Sequence, residues 1–182
     1  MRVIAAADDV GKFYRELKDP DRLQCNERGF FFSYPEASSI TLHYSPKLER
    51  LPWFARFIAT LGYDEVDFQG AVLWITEYGV WQQREEGIGY RLVENLSRAS
   101  GQPRSFEATS AYGFRSDELV EAIGMMMQPM VFGWDAYFVP QYSYGVEECF
   151  LKISHDSYVR VETRTRAFHD RVLKDLQEAE LV

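Results

Sequence analysis

One stretch of the chain puts residues capable of proton transfer side by side: Ser154, His155, Asp156 and Ser157. A carboxylate beside an imidazole raises the ring's pKa and fixes its tautomer, so neighbouring His and Asp make a candidate acid/base pair. With Glu148 close in sequence, the group would suit a small metal-dependent or acid/base hydrolase. The competing reading is a turn. Asp and Ser are preferred turn residues, the segment lies where two apolar-alternating stretches must reverse, and adjacent residues at a tip seldom converge on one substrate. The turn reading is the stronger of the two.

Other chemistries find less support. His155, Asp156, His169 and one of Glu147 or Glu148 are adequate ligands for zinc or a first-row metal. No HExxH and no His pair at i and i+4 organises them, so no metal is expected. Neither Cys25 nor Cys149 sits in a nucleophile signature, and no GxSxG is present. Gly87 and Gly89 do not complete a GxGxxG, and there is no GxxxxGK[ST], so no phosphate-bearing cofactor is expected.

The rings are a second clue. Trp74, Tyr78 and Trp81 fall between a strand and a helix, and Trp134, Tyr137, Tyr142 and Tyr144 cluster around Pro140. Partly exposed Trp and Tyr bring large contact area with little rotamer entropy, which makes Trp74, Trp81, Trp134, Tyr137 and Tyr142 the candidate binding surface. Packing at the edge of the core is the stronger reading of the same residues. Met125, Met126 and Met127 fit an irregular core or an adaptable groove, with the core favoured.

These groups must be held by elements that periodicity outlines. Val10, Phe13, Tyr14 and Leu17 recur at helical spacing after Asp8 and Asp9. Gly29 to Tyr34 and Ser39 to Tyr44, joined across Pro35 to Ser38, read as a hairpin. A helix starts near Pro52 and stops at Gly62, with Leu51, Phe54, Ala55, Ile58 and Leu61 as its stripe. Ala71 to Thr76 reads as a strand, Glu85 to Arg98 as a helix, and Phe106 to Tyr112 as a weaker strand. Ser116 can cap a helix that carries Leu119, Val120, Ile123, Met126 and Met127 and is expected to end at Pro129. Strands near Asp135 to Val139, Glu148 to Ser154 and Tyr158 to Thr163 follow. Their alternation sets Cys149, Leu151 and Ile153 on one face and Val159 and Val161 on another. A last helix groups Phe168, Val172, Leu176 and Ala179. This order predicts an α+β fold, a mostly antiparallel sheet with helices packed on one face, and a single domain over 1–182.

Composition bounds the function. A chain of 182 residues, 46% hydrophobic and 15% aromatic, can build a full core, which argues against disorder. The net charge of −8 repels a phosphate backbone, so no nucleic acid is expected as partner. The basic run Arg160, Arg164, Arg166 and Arg171 is interleaved with Glu162, Asp170 and Asp175. Two cysteines without CxxC, and an N-terminus without a leader-like apolar stretch, predict a cytoplasmic protein. The longest apolar run, around Met125 to Phe132, is broken by Gln128 and Pro129, so no membrane span is expected.

The segments WITEYGVW (Trp74 to Trp81), GYRLVENL (Gly89 to Leu96), GWDAYFVP (Gly133 to Pro140) and ISHDSYV (Ile153 to Val159) resemble those of a bacterial protein family without an assigned activity. The resemblance covers about half the chain. It draws interest to Trp81, Tyr90, Arg91, Trp134, Asp135, His155 and Asp156 and implies no reaction. The expectation that fits charge, rings and missing signatures together is a non-enzymatic protein-binding module, inhibitor-like or immunity-like, steered by acidic charge towards a basic partner. The alternative is the hydrolase built on His155 and Asp156; a homodimer with a self-complementary edge strand or Trp surface is a third reading.

Overall fold

The structure, a computed structural model, describes residues 2–4, 23–26, 29–32, 38–44, 49–77, 88–99, 111–142 and 149–181. In chain order the elements are β1 (Arg2–Ile4), β2 (Leu23–Asn26), β3 (Gly29–Phe32), β4 (Ser38–His43), α1 (Leu51–Ala59), β5 (Phe68–Glu77), α2 (Ile88–Ala99), β6 (Ala111–Arg115), α3 (Leu119–Phe132), β7 (Asp135–Tyr142), β8 (Cys149–Ser154), β9 (Tyr158–Thr163) and α4 (Arg166–Glu178). The fold is α+β. Seven strands form one sheet in the order β1-β6-β5-β7-β8-β9-β4, and β2 with β3 forms a separate ribbon. Every described pairing is antiparallel.

The sheet is organised around β5. Ala71, Val72, Leu73, Trp74 and Ile75 make an apolar run without a break, and all five are buried. Such a run suits a strand covered on both faces. The register sets Leu73 beside Tyr112 and Phe138, then Leu151 beside Val161, and Ile153 beside Val159. These residues share one face, and the helices lie on it. Leu51, Phe54, Ala55 and Ile58 of α1, Ala122, Met125, Met126 and Met130 of α3, and Phe168, Val172 and Leu176 of α4 join them in a single core. Each stripe follows the 3.6-residue period, and full burial of one such side chain contributes about 1.5–3 kcal/mol. The α4 N-terminus is closed by Thr165, whose Oγ1 accepts from the Phe168 N–H at 3.2 Å.

Several expectations need correction. Val159 and Val161 lie on the same face as Leu151 and Ile153, because antiparallel partners directly opposite each other point the same way. The hairpin expected between residues 29–34 and 39–44 does not form. β3 pairs instead with β2, from Asn26 beside Gly29 to Leu23 beside Phe32, whereas β4 pairs with the distant β9. That choice brings Ile40 and Leu42 beside Val161 and Val159, an apolar match that local turn signals cannot reveal. The helix expected to stop at Pro129 runs on to Phe132. Proline loses its N–H bond to the preceding turn and its ring crowds the carbonyl four residues back, and burial of Pro129 and Met130 holds the final turn in place against that cost. The residue before that helix is Glu118, not Ser116; its carboxylate accepts the Arg115 N–H at 3.0 Å. The helix expected over Val10 to Leu17 lies outside the described residues.

Candidate functional site

The sheet brings the start of β7 next to the end of β8. α3 ends on Gly133, which takes the left-handed conformation at φ 64, and the Trp134 N–H closes the helix by donating to the Pro129 carbonyl at 2.9 Å. A β-carbon is disfavoured in that conformation, so glycine suits the position. The chain then enters β7 at Asp135. On the neighbouring hairpin the Ser157 N–H donates to the Ser154 carbonyl at 3.1 Å, and Ser157 has φ 61. This is a three-residue connection, a tight turn followed by one left-handed residue. His155 and Asp156 occupy its two central positions, so the turn reading describes the backbone there.

The imidazole is nonetheless held. The His155 N–H donates to Asp135 Oδ1 at 2.8 Å, and the ring Nδ1 lies 2.9 Å from the same oxygen. Because a carboxylate only accepts, Nδ1 is the protonated nitrogen of the neutral ring. Nε2 lies 3.5 Å from Asp156 Oδ1. The side chains of His155 and Asp135 are 25% and 20% exposed, while that of Asp156 is 67% exposed. The carboxylate that orients the ring is therefore Asp135, not the sequence neighbour Asp156.

Behind this pair stands Tyr44. Its hydroxyl reaches the carbonyls of Ser154 at 3.4 Å and Met130 at 3.5 Å, and its N–H donates to the Ser157 carbonyl at 3.1 Å. Burial, and secondly the negative charge of Asp135, push the Tyr44 hydroxyl up to about 12. The phenol stays neutral and ties β4, α3 and the hairpin together. A carboxylate-oriented imidazole is half of an acid/base apparatus. The Ser154 hydroxyl accepts the Asp156 N–H at 3.3 Å, which engages it within the turn.

The other candidates sort as follows. Cys149 is buried in the core on β8. His169 is buried, with Nδ1 at 3.2 Å from Thr163 Oγ1; since that hydroxyl donates to the Ser38 carbonyl at 3.0 Å, it accepts from the ring. Among the described residues no group of three or more His, Cys, Asp or Glu could hold a metal ion. Glu148 and Trp81 lie outside the described residues, as does the Tyr142 side chain.

The expected aromatic surface also needs correction. Trp74 is 5% exposed and Trp134 is 4% exposed. Trp74 lies on the second face of β5, tilted against Tyr137 at 5.9 Å, and Tyr137 meets Phe150 edge-on at 5.9 Å. Burial raises the half-buried Tyr137 hydroxyl above its ordinary value, with Asp135 adding to the shift. Trp134 packs on Phe132 at 5.3 Å. Both tryptophans are structural: Trp74 is buried on the second face of the sheet, and Trp134 belongs to the core shared with the helices.

Among the described residues the exposed large aromatic ring is Trp53, at 52%, which sequence reasoning passed over. It stacks on Phe57, one turn along α1, at 5.5 Å with planes 11° apart. Arg56 on the same helix forks onto Glu65, with Nη2 at 2.7 Å from Oε2, and the next residue, Val66, is 87% exposed. A signal was present: Trp53 falls outside the stripe of Leu51, Phe54, Ala55 and Ile58, so a helix burying that stripe must show this ring to solvent. No family model matches the chain, and neither a curated protein nor a solved structure matches it.

Proposed function

We propose that the protein is a non-enzymatic protein-binding module, inhibitor-like or immunity-like, that engages a basic protein through the outer side of α1. The observation that carries the reading is the half-exposed Trp53 stacked on Phe57. A ring already held by a neighbour loses little freedom on binding, and Trp is enriched among the residues that dominate interfaces. Exposed Val66 follows Glu65, the partner of Arg56 on α1, and the net charge of −8 favours a basic partner and speeds its approach. Among the described residues no helix is long and apolar enough to cross a membrane, and the cytoplasmic address belongs to the same proposal.

The test is affinity capture from lysate with wild type, Trp53→Ala and Asp135→Asn side by side, at low and raised salt. The reading expects a defined basic protein retained by wild type and Asp135→Asn, weakened by salt and lost with Trp53→Ala. Equal retention by Trp53→Ala would overturn it.

A second reading is favoured by one contact. The 2.9 Å contact of His155 Nδ1 with Asp135 fixes which tautomer the ring takes when neutral, with Nε2 as the nitrogen for general-base work. It expects a hydrolytic activity that Asp135→Asn reduces and Trp53→Ala leaves intact.

A further inference from the structure

Sheet edges are usually closed by charge, proline or a bulge, since an open edge is a template for another strand. β4 has none of these. Its sequence is Ser-Ser-Ile-Thr-Leu-His, and its register with β9 runs unbroken from Ser38 beside Thr163 to His43 beside Tyr158. Among the described residues no strand pairs with it on the other side.

The phase of its hydrogen bonds is fixed by Tyr44, whose N–H donates to the Ser157 carbonyl. Antiparallel ladders alternate, so Leu42, Ile40 and Ser38 also turn their backbone groups towards β9. The Thr163 hydroxyl bonded to the Ser38 carbonyl agrees with that phase. Ser39, Thr41 and His43 therefore aim their N–H and C=O groups outward, and all three residues are exposed.

We propose that β4 is a self-pairing surface whose partner is a second copy of this chain, joined antiparallel about a two-fold axis through Thr41. This register alone sets all three outward-bonding residues opposite one another: Thr41 faces Thr41 of the second copy, and Ser39 faces its His43. The intervening pair is Ile40 with Leu42 of the second copy, both on the helix-covered face. Ile40 is the partly buried residue at that margin of the core, and the pairing covers it. No like charges meet, because the strand carries no acidic residue, Lys or Arg. Residues directly opposite in an antiparallel pair must share a face, and this register satisfies that for both copies. The two seven-stranded sheets become one. The proposal stands independently of the α1 reading, since Trp53 takes no part in it.

The experiment is sedimentation equilibrium of the full chain over a range of concentrations, for wild type, Thr41→Lys, Thr41→Glu and an equimolar mixture of the two variants. Position 41 is exposed on the strand, and thermal melting confirms that each variant is folded. Wild type is expected to rise with concentration from the 21.2 kDa of one chain towards twice that mass. Each variant alone should associate about tenfold or more weakly, because like charges meet at the axis, and the mixture should recover association through the opposite pair. Wild type that stays at one chain mass at the highest soluble concentration would overturn the proposal. So would single variants that associate as wild type does.

Discussion

Removing the Tyr44 hydroxyl, as Tyr44→Phe, should change how stability responds to alkali. The folded hydroxyl is held at about 12 against an ordinary value of 10.0, mainly by burial and secondly by Asp135. The folded value is raised, so the contribution is fully present below pH 10 and is lost as pH climbs through about 12. The unfolded chain gives up this proton first, and ionisation then favours unfolding. Two units correspond to about 2.7 kcal/mol, which solvent screening at a partly hydrated hydroxyl reduces to ~1–2 kcal/mol. Below pH 10 the one hydroxyl proton, shared between the carbonyls of Ser154 and Met130, is worth about 0.5–1.5 kcal/mol. Denaturant unfolding of wild type and Tyr44→Phe should therefore give curves separated by that smaller amount near pH 8. Between pH 10 and 12 wild type should lose ~1–2 kcal/mol more than the variant, so that the curves converge or cross. Curves that stay parallel up to pH 12 would refute the argument, for they would mean that the phenol ionises as easily folded as unfolded.

Further outcomes follow from single contacts. Gly62→Ala meets both a φ of 79 and a β-carbon position 2.7 Å from Cζ of the buried Phe168. A loss of about 2–4 kcal/mol in denaturant unfolding is expected, and a change within about 0.5 kcal/mol, the range of an ordinary surface substitution, would contradict it. Thr163→Val keeps the shape but leaves the buried His169 Nδ1–H without its acceptor and removes the second bond to the Ser38 carbonyl. It should lower stability by about 1–3 kcal/mol, and an unchanged unfolding midpoint would contradict that wiring.

Periodicity revealed α1, α3, α4 and the final three strands because each buries a stripe or alternation that shows in a short window; α2 forms near its expected place, but its Ile88 and Leu92 are exposed. β7, β8 and β9 lie consecutively in the sheet, and α1 and α4 bury the stripes their spacing suggests. Partner choice was less legible. β4 joins a strand more than a hundred residues away, where Ile40 and Leu42 meet Val161 and Val159, while turn residues suggested a nearer mate. Trp74 stayed a surface candidate beside the stronger packing reading because a central strand buried on both faces has no polar side by which to recognise its second face. The Asp135 contact to His155 was recoverable from the meander itself. An antiparallel β7–β8 pair must set the first residue of one beside the end of the other, where the turn carries His155. Sequence adjacency pointed to Asp156 instead.

The binding account rests on Trp53, and photo-cross-linking in the native cell reads it directly, with benzoylphenylalanine placed at position 53 in one strain and at position 156 in another. The account predicts one discrete, salt-sensitive adduct with a basic protein from position 53 and none from position 156. No adduct at position 53, or the same adducts from both positions, would contradict it.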